Sequence, residues 1–132
     1  MPKNKYKSFK ELVESGKKPV IMHIVPALKS GGVEQSIIDE NRAILEAGGV
    51  SIVVSNGGPR VPEILRGGGI HIQLPVHSKN PFTMYRNSKK LKKIIKEYKV
   101  DIVHANSRAP AWSAKSAANG TGAKYLTSCH SA

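Results

Sequence analysis

Five short apolar runs recur along the chain, and segments with a helical spacing of apolar residues lie between them. The runs are rich in β-branched residues and five to seven residues long, which is typical of strands buried on both faces. Because a helical segment separates each run from the next, the pattern predicts parallel strands joined by helical crossovers. The predicted strands are Val20–Val25, Val50–Val54, Ile70–Leu74, Val100–His104 and Ala123–Cys129.

Four helices are predicted between these strands. The first carries apolar residues at helical spacing from Val33 to Leu45 and stops at Gly48-Gly49, and the second, Val61–Leu65, is closed by three glycines at 67–69. The third follows the loop Pro75–Pro81, and the fourth is the small-residue segment Ala109–Ala118. The third helix is amphipathic: one face carries Leu91, Ile94, Ile95 and Tyr98, and the opposite face carries Lys89, Lys92, Lys93 and Lys96.

This alternation predicts an α/β fold, a doubly wound, Rossmann-like parallel sheet with helices on both faces and the strand order 3-2-1-4-5. In such a sheet the ligand crevice lies at the carboxyl ends of the strands that flank the reversal of strand order, here the first and the fourth. The loops Pro26–Val33 and Ala105–Trp112 are therefore expected to line the site.

A pair of glycines, Gly31 and Gly32, comes directly before the first predicted helix. Backbone N–H groups and the positive end of the dipole favour an anion there, and glycine lets a phosphate approach the backbone. The alternative is an ordinary strand-to-helix turn that needs glycine for its conformation. The loop has neither the G-x-G-x-x-G nor the G-K-[ST] spacing, which disfavours nicotinamide-dependent and P-loop chemistry.

The second predicted crevice loop carries Ser107 and Arg108, whose guanidinium can bind a phosphate or a carboxylate. The alternative is that Arg108 is an ordinary exposed arginine without a ligand. Trp112 in the same loop is interpreted as a core residue. His130 follows the fifth strand and reaches the same edge of the sheet, where a functional and a merely terminal histidine fit equally well. His23 and His104 lie inside apolar strands and are expected to be hydrogen-bonded core residues.

The chain of 132 residues is 39% hydrophobic, and these values suit one packed domain rather than a coiled coil or a disordered segment. No apolar run reaches the length that spans a bilayer, and no signal peptide is evident, so a cytoplasmic protein is expected. A lone cysteine, Cys129, excludes an internal disulfide and a cysteine cluster for a metal. We therefore expect no metal site.

The net charge of +12 is concentrated in two segments. Residues 1–18 hold six lysines against two glutamates, and residues 86–99 hold seven cations against one glutamate. Two confined basic strips suit an anionic membrane surface, whereas a duplex-binding face usually spreads its phosphate contacts. The alternative is a solvated lysine face, since lysine is a common filler of exposed helix positions. Few aromatic residues accompany the lysines, which disfavours binding to nucleic acid.

Four segments carry a family resemblance: residues 23–34, which contain Gly-Gly-Val-Glu, the turn at 55–58, Asp101–Trp112, and Thr127–His130. In order and spacing they resemble the N-terminal half of a retaining GT-B glycosyltransferase of family 4, over a match that runs from about Val20 to the last residue. The combination of Gly-Gly-Val-Glu with Ser-Arg-Ala-Pro-Ala-Trp after an Asp-Ile-Val-His strand is typical of bacterial members that act on lipopolysaccharide and other envelope glycans.

The resemblance implies that Gly31 and Gly32 lie beside the donor diphosphate, that His130 is the catalytic-site histidine near the transferred sugar, and that Arg108, with Ser107, faces the acceptor. It also implies a nucleotide-sugar donor, a glycan or glycolipid acceptor, and no metal or other cofactor. Gln35 and Ser131 depart from the family pattern, which commonly has an arginine at the first position and glycine or aspartate at the second.

Family members carry a second domain that holds the nucleotide sugar, and the resemblance stops at the fifth strand. We therefore interpret residues 1–18 as a basic extension and 19–132 as a partial N-terminal domain that is inactive alone, with a separate chain as one source of the missing domain. The predicted function is hexosyl transfer to a lipid-linked or envelope glycan acceptor, with the protein in the cytoplasm or peripheral on the inner face of the membrane. The alternatives are a non-catalytic nucleotide- or nucleic-acid-binding module, and half of another GT-B enzyme such as a nucleotide-sugar epimerase.

Overall fold

The computed structural model describes residues 19–26, 32–78, 80–106, 115–121 and 123–128. Five strands form one parallel sheet in the order β3-β2-β1-β4-β5, as the alternation of apolar runs predicts. The reversal of strand order therefore falls between β1 and β4. The strands are β1 (Val20–Ile24), β2 (Val50–Ser55), β3 (Ile70–Gln73), β4 (Ile102–Asn106) and β5 (Lys124–Ser128).

Three helices connect these strands: α1 (Gly32–Glu46), α2 (Val61–Arg66) and α3 (Pro81–Tyr98). Residues 115–118 are also helical, which confirms the end of the fourth predicted helix, while 109–114 lie outside the described residues. Apolar side chains alternate between the two faces of the sheet, as the two-residue period of a strand requires. In β2, Ile52 and Val54 belong to the cluster that contains Leu91 of α3, and Val53 belongs to the cluster that contains Ile37 of α1.

The predicted fourth strand is wrong at both ends, because β4 begins two residues later and continues to Asn106. Val100 instead donates its backbone N–H to the carbonyl of Ile95 in the last turn of α3, at 2.9 Å. Asp101 caps the start of β1, since its carboxylate accepts from the backbone N–H of Val20 at 2.9 Å. This shift places the side chain of Asn106 at the carboxyl edge of the sheet.

Each of the three helices ends with one residue in the left-handed conformation, Gly48, Gly68 or Lys99. After α2, Gly68 donates to the carbonyl of Leu65 and Gly69 donates to that of Ile64, both at 3.0 Å. These two bonds form a Schellman motif, which satisfies carbonyls that the helix end leaves unpaired. The glycines that predicted the helix ends therefore act there as predicted.

The buried face of α3 differs from the predicted one at both ends. Tyr98 is 37% exposed, whereas Asn87 and Ser88 are buried near the start of the helix. Asn87 is accommodated because its side-chain NH₂ donates to the carbonyl of Pro75 at 3.0 Å, and this bond holds the loop before α3 against the helix. A polar residue can therefore occupy a core position that hydrophobic spacing alone does not identify.

Candidate functional site

The carboxyl edge of β1, β2 and β4 is the candidate site. Val25, just past β1, donates its N–H to Val54 at 3.0 Å, and the carbonyl of Pro26 accepts from Asn56 at 3.0 Å. These bonds fix the exit of β1 against the end of β2. On the other side of β1, the pairing of Ile24 with Ala105 brings Asn106 to the same edge.

Most of the predicted site residues lie outside the described residues: Gly31, Ser107, Arg108 and His130. Gly32 is described and is the first residue of α1, so this member of the predicted glycine pair lies at a helix N-terminus. The predictions for the other four residues are neither supported nor opposed by the structure.

Asn106 was not among the predicted site residues. It is only 3% exposed, and its side-chain NH₂ has no hydrogen-bond partner among the described residues. A buried donor without an acceptor is costly, by about 1–3 kcal/mol, so native proteins rarely keep one without a reason. The hydrophobic pattern ends the fourth strand at His104, so it assigns Asn106 to a loop, whereas β4 continues through Asn106.

Arg60 places a guanidinium beside the first turn of α1. Its Nη2 donates to the side-chain carbonyl of Gln35 at 2.6 Å, and its Nε donates to Glu63 at 2.7 Å. The hydrogen bond to Glu63, reinforced by the charges of Glu63, Glu34 and Asp39, raises the pKa of Arg60. A cation therefore offsets Glu34 near the end of α1 that is expected to receive a phosphate.

The end of β2 is held by a hydrogen-bonded serine and histidine. Ser55 Oγ accepts from the backbone N–H of Gly57 at 3.0 Å and lies 2.7 Å from Nε2 of His71 on β3. Burial lowers the pKa of His71, because desolvation disfavours the charged imidazole. Nε2 of the neutral ring and the Ser55 hydroxyl share this hydrogen bond.

Acid should therefore destabilise the protein partly through His71. The unfolded chain binds a proton near pH 6.5 while the folded ring resists it, so the stability contribution is complete above about pH 6.5 and falls as pH drops below that value. We expect His71→Gln to lose less unfolding free energy than the wild type between about pH 7.5 and 5. Urea denaturation at both pH values measures the difference.

His77→Gln is the matched control, since His77 is exposed. It should keep the acid sensitivity of the wild type. Equal acid sensitivity of His71→Gln and the wild type would show that His71 titrates alike in both states.

Below the same edge, three ionisable side chains from β1, β4 and α1 meet in the interior. Nδ1 of His23 lies 3.2 Å from Nδ1 of His104, and Nε2 of His23 lies 3.0 Å from Oε2 of Glu40. The His23–Glu40 contact has the distance of an ion pair but not the angle of a hydrogen bond. The prediction that both histidines are hydrogen-bonded core residues is confirmed, but Glu40 was not predicted to join them.

The outer side of α3 forms a second surface, the basic face. Two aromatic rings lie on it without cover, with Phe82 83% and Tyr85 56% exposed. The ammonium group of Lys89 stands 4.9 Å from the centre of the Tyr85 ring. None of the helices that the structure describes is long and apolar enough to cross a membrane. The basic face comprises Phe82, Tyr85, Arg86, Lys89, Lys90, Lys93 and Lys96, all exposed.

Comparisons with known proteins agree with this fold. This chain is similar to a glycosyltransferase from Rickettsia africae ESF-5 of known crystal structure, with 45% sequence identity and a TM-score of 0.76. The match covers 83% of this chain and 29% of that chain. This chain therefore spans less than a third of that glycosyltransferase. The C-terminal domain of a hydrogenase from Pyrococcus furiosus shares the fold alone, at 16% identity and a TM-score of 0.61 over 84% of this chain and 92% of that one.

A comparison with curated proteins finds no match. The profile of Glycosyltransferase Family 4, in contrast, matches residues 30–132, which include the carboxyl ends of β2 and β4. The protein belongs to glycosyltransferase family 4.

Proposed function

We propose that this chain supplies the acceptor side of an enzyme that transfers a hexosyl group from a nucleotide sugar to a lipid-linked or envelope glycan, such as lipopolysaccharide. In that reaction the bond between the anomeric carbon and the diphosphate breaks, and the acceptor oxygen, which gives up its proton, bonds to the same carbon. The nucleoside diphosphate leaves. The buried Asn106 amide at the reversal of strand order carries the proposal, because substrates of open parallel sheets bind at that point.

Each proposed role follows from position. Gly31 and Gly32 bring the donor diphosphate to the N-terminus of α1, where backbone N–H groups stabilise the charge that develops on the leaving group. Arg108 and Ser107 follow β4 directly and are proposed to orient the acceptor, and His130 follows β5 and is proposed to lie beside the transferred sugar. The proposed reaction uses no metal or cofactor, and the nucleotide sugar is a substrate.

Asn106 is proposed to donate to a substrate hydroxyl through its side-chain N–H, which has no partner in the described part of the chain. Asn106 is the last residue of β4 and directly precedes Ser107 in the sequence. A buried donor is already stripped of water, so it loses little hydration free energy when a substrate binds. Its hydrogen bond to the substrate is therefore stronger than that of an exposed amide. This role makes Asn106 a substrate-positioning residue.

A chimera tests the function. This chain would replace the matching 29% of the Rickettsia africae glycosyltransferase, and release of nucleoside diphosphate would be measured with a panel of nucleotide hexoses and bacterial lipid extract as the acceptor. We expect acceptor-dependent release, and Asn106→Leu in the chimera should lower it about tenfold. Thermal stability should be kept, because Leu has a similar volume and removes a buried donor that no described residue satisfies.

Asn119→Leu is the control, since Asn119 is exposed, and it should leave turnover unchanged. Equal turnover of Asn106→Leu and the unmutated chimera would contradict the positioning role. A folded chimera that converts nucleotide sugars without any acceptor would instead support the epimerase alternative and overturn the proposed transfer.

The basic face of α3 is proposed to hold the protein on an anionic membrane, close to a lipid-linked acceptor. Lys and Arg near an anionic surface each contribute about 1 kcal/mol of binding, and exposed aromatic rings add apolar and interfacial contact. Phe82 and Tyr85 lie one turn apart beside Arg86 and Lys89, so both contributions act on the same surface. The basic segment 1–18 lies outside the described residues.

A further inference from the structure

We propose that His23, His104 and Glu40 form a structural binding site for one divalent transition-metal ion, with Zn²⁺ as the expected occupant. The proposal is independent of the transfer reaction, in which the ion takes no part. It also goes against the expectation of no metal site, which rested on the single cysteine of the sequence. The three residues lie on β1, β4 and α1, and one ligand atom from each lies within 4.8 Å of the others.

The two imidazoles already have the spacing of ligands to one ion. Bond lengths of about 2.0–2.1 Å in a tetrahedral zinc site place neighbouring nitrogens about 3.3 Å apart. Nδ1 of His23 and Nδ1 of His104 are 3.2 Å apart, and the rings meet edge to face at 72° with centroids 5.2 Å apart. The spacing of the two nitrogens therefore already matches that of two ligands of one ion, and rotation of the imidazole rings would direct both lone pairs to it.

The register of the sheet produces this spacing. His23 pairs directly with His104 across β1 and β4, so both side chains leave the same face of the sheet. That face is covered by α1, which contributes Ile37, Ile38 and Ile44 to the core and Glu40 to the cluster. Adjacent strands therefore fix the two histidines side by side, and α1 brings the Glu40 carboxylate to the same face of the sheet.

Glu40 selects the tautomer that the ion needs. A carboxylate oxygen 3.0 Å from Nε2 of His23 favours the proton on that nitrogen, which directs the lone pair of Nδ1 toward His104. Without an ion, the Nδ1 proton of His104 occupies the gap. On metal binding this proton moves to Nε2 of His104, so that both Nδ1 atoms present lone pairs.

Two imidazoles beside one carboxylate favour zinc over magnesium or calcium as the bound ion. Imidazole nitrogens suit Zn²⁺, Cu²⁺ and Ni²⁺, whereas Mg²⁺ and Ca²⁺ require oxygen ligands. The Glu40 side chain is 25% exposed, so water can reach the ion and complete its coordination while the carboxylate stays at Nε2 of His23. Its negative charge also offsets part of the charge of the ion, which is surrounded by apolar residues.

Titration of the metal-free chain with Co²⁺, followed by displacement with Zn²⁺, tests the site. We expect one Co²⁺ per chain with the visible absorption of a low-coordinate site. His104→Asn should weaken binding at least tenfold, and Glu40→Gln should weaken it about 10- to 100-fold. His77→Asn is the matched control at an exposed histidine, and His130→Asn tests the histidine outside the described residues; both should bind as the wild type does.

A second measurement avoids buried substitutions that impair folding. Imidazole ¹⁵N NMR of the wild-type chain should show one equivalent of Zn²⁺ shifting Nδ1 of both His23 and His104. Absence of stoichiometric Co²⁺ binding, or binding that His77→Asn or His130→Asn abolishes, would overturn the proposal. So would Zn²⁺ shifts confined to other histidines. None of these outcomes bears on turnover by the chimera.

Discussion

Replacing Arg86, Lys89 and Lys93 by glutamine is expected to weaken binding of the protein to anionic vesicles about 100-fold. Each cation near an anionic surface contributes about 1 kcal/mol, and three such contributions correspond to roughly two orders of magnitude in the dissociation constant. The three residues are exposed and follow one another at spacings of three and four residues along the basic face. Sedimentation with vesicles of phosphatidylglycerol and phosphatidylcholine, compared with phosphatidylcholine alone, measures the effect.

A triple variant elsewhere on the protein provides the matched control. Arg42, Arg66 and Lys115 are exposed and lie outside α3, so their replacement by glutamine removes the same charge without touching the basic face. We expect this control to lose at most about threefold in affinity, because charges farther than a Debye length from the membrane surface are largely screened. An equal loss in the two triple variants would show that net charge, and not the basic face, drives binding.

Phe82→Ser separates the apolar from the electrostatic part of membrane binding. We expect this variant to bind the same vesicles more weakly, with a loss that persists when the salt concentration is raised, since burial of an aromatic ring is not screened by ions. Tighter binding of the wild type to polynucleotides than to vesicles would contradict the membrane assignment and favour a nucleic-acid-binding surface.

Gly69→Ala is expected to cost about 2–3 kcal/mol of unfolding free energy, as overpacking of a closed site does. A Cβ atom there would lie 2.3 Å from Oδ1 of Asn41, 2.9 Å from Cγ2 of Ile64 and 3.0 Å from the Ile64 carbonyl oxygen. Asn41 is buried, and the Ile64 carbonyl accepts the backbone N–H of Gly69, so neither neighbour moves freely. Urea denaturation of the purified variant measures the loss.

Gly67→Ala is the matched control two residues earlier. Gly67 has right-handed helical angles, and a Cβ atom there would lie 3.3 Å from Nδ2 of Asn41, its nearest neighbour. Alanine is compatible with this backbone, so we expect a change of less than about 1 kcal/mol. If Gly69→Ala were as stable as Gly67→Ala, the close packing of α2 against Asn41 of α1 would be refuted.

The sheet was predictable because its information is local. β-Branched apolar runs separated by helical segments leave few alternatives to a parallel sheet, and right-handed crossovers then restrict the order of the strands. The glycines at 48 and 68 marked helix ends correctly, since a left-handed residue there favours glycine. The same rule did not mark the end of α3, where Lys99 adopts this conformation without being glycine.

The contents of the candidate site were less predictable. Arg60 and Gln35 are 25 positions apart in the chain, and His23 and His104 are 81 positions apart. No periodicity links such pairs, because their contact depends on which strands are neighbours and on the register between them. Exposure of Phe82 and burial of Asn87 likewise depend on what packs against α3, and residue type alone suggests the reverse for both.

By itself, the sequence determined the class of fold, the strand order, two of the three helix ends and, through its motifs, the family. Only the tertiary structure decided that an amide is buried at the end of β4, that two histidines face each other at ligand spacing beside a carboxylate, and that aromatic rings share the basic face of α3. The physical reason is that hydrophobic spacing specifies which face of an element is buried. The register of the sheet and the position in which each helix packs on it decide which polar side chains come into contact.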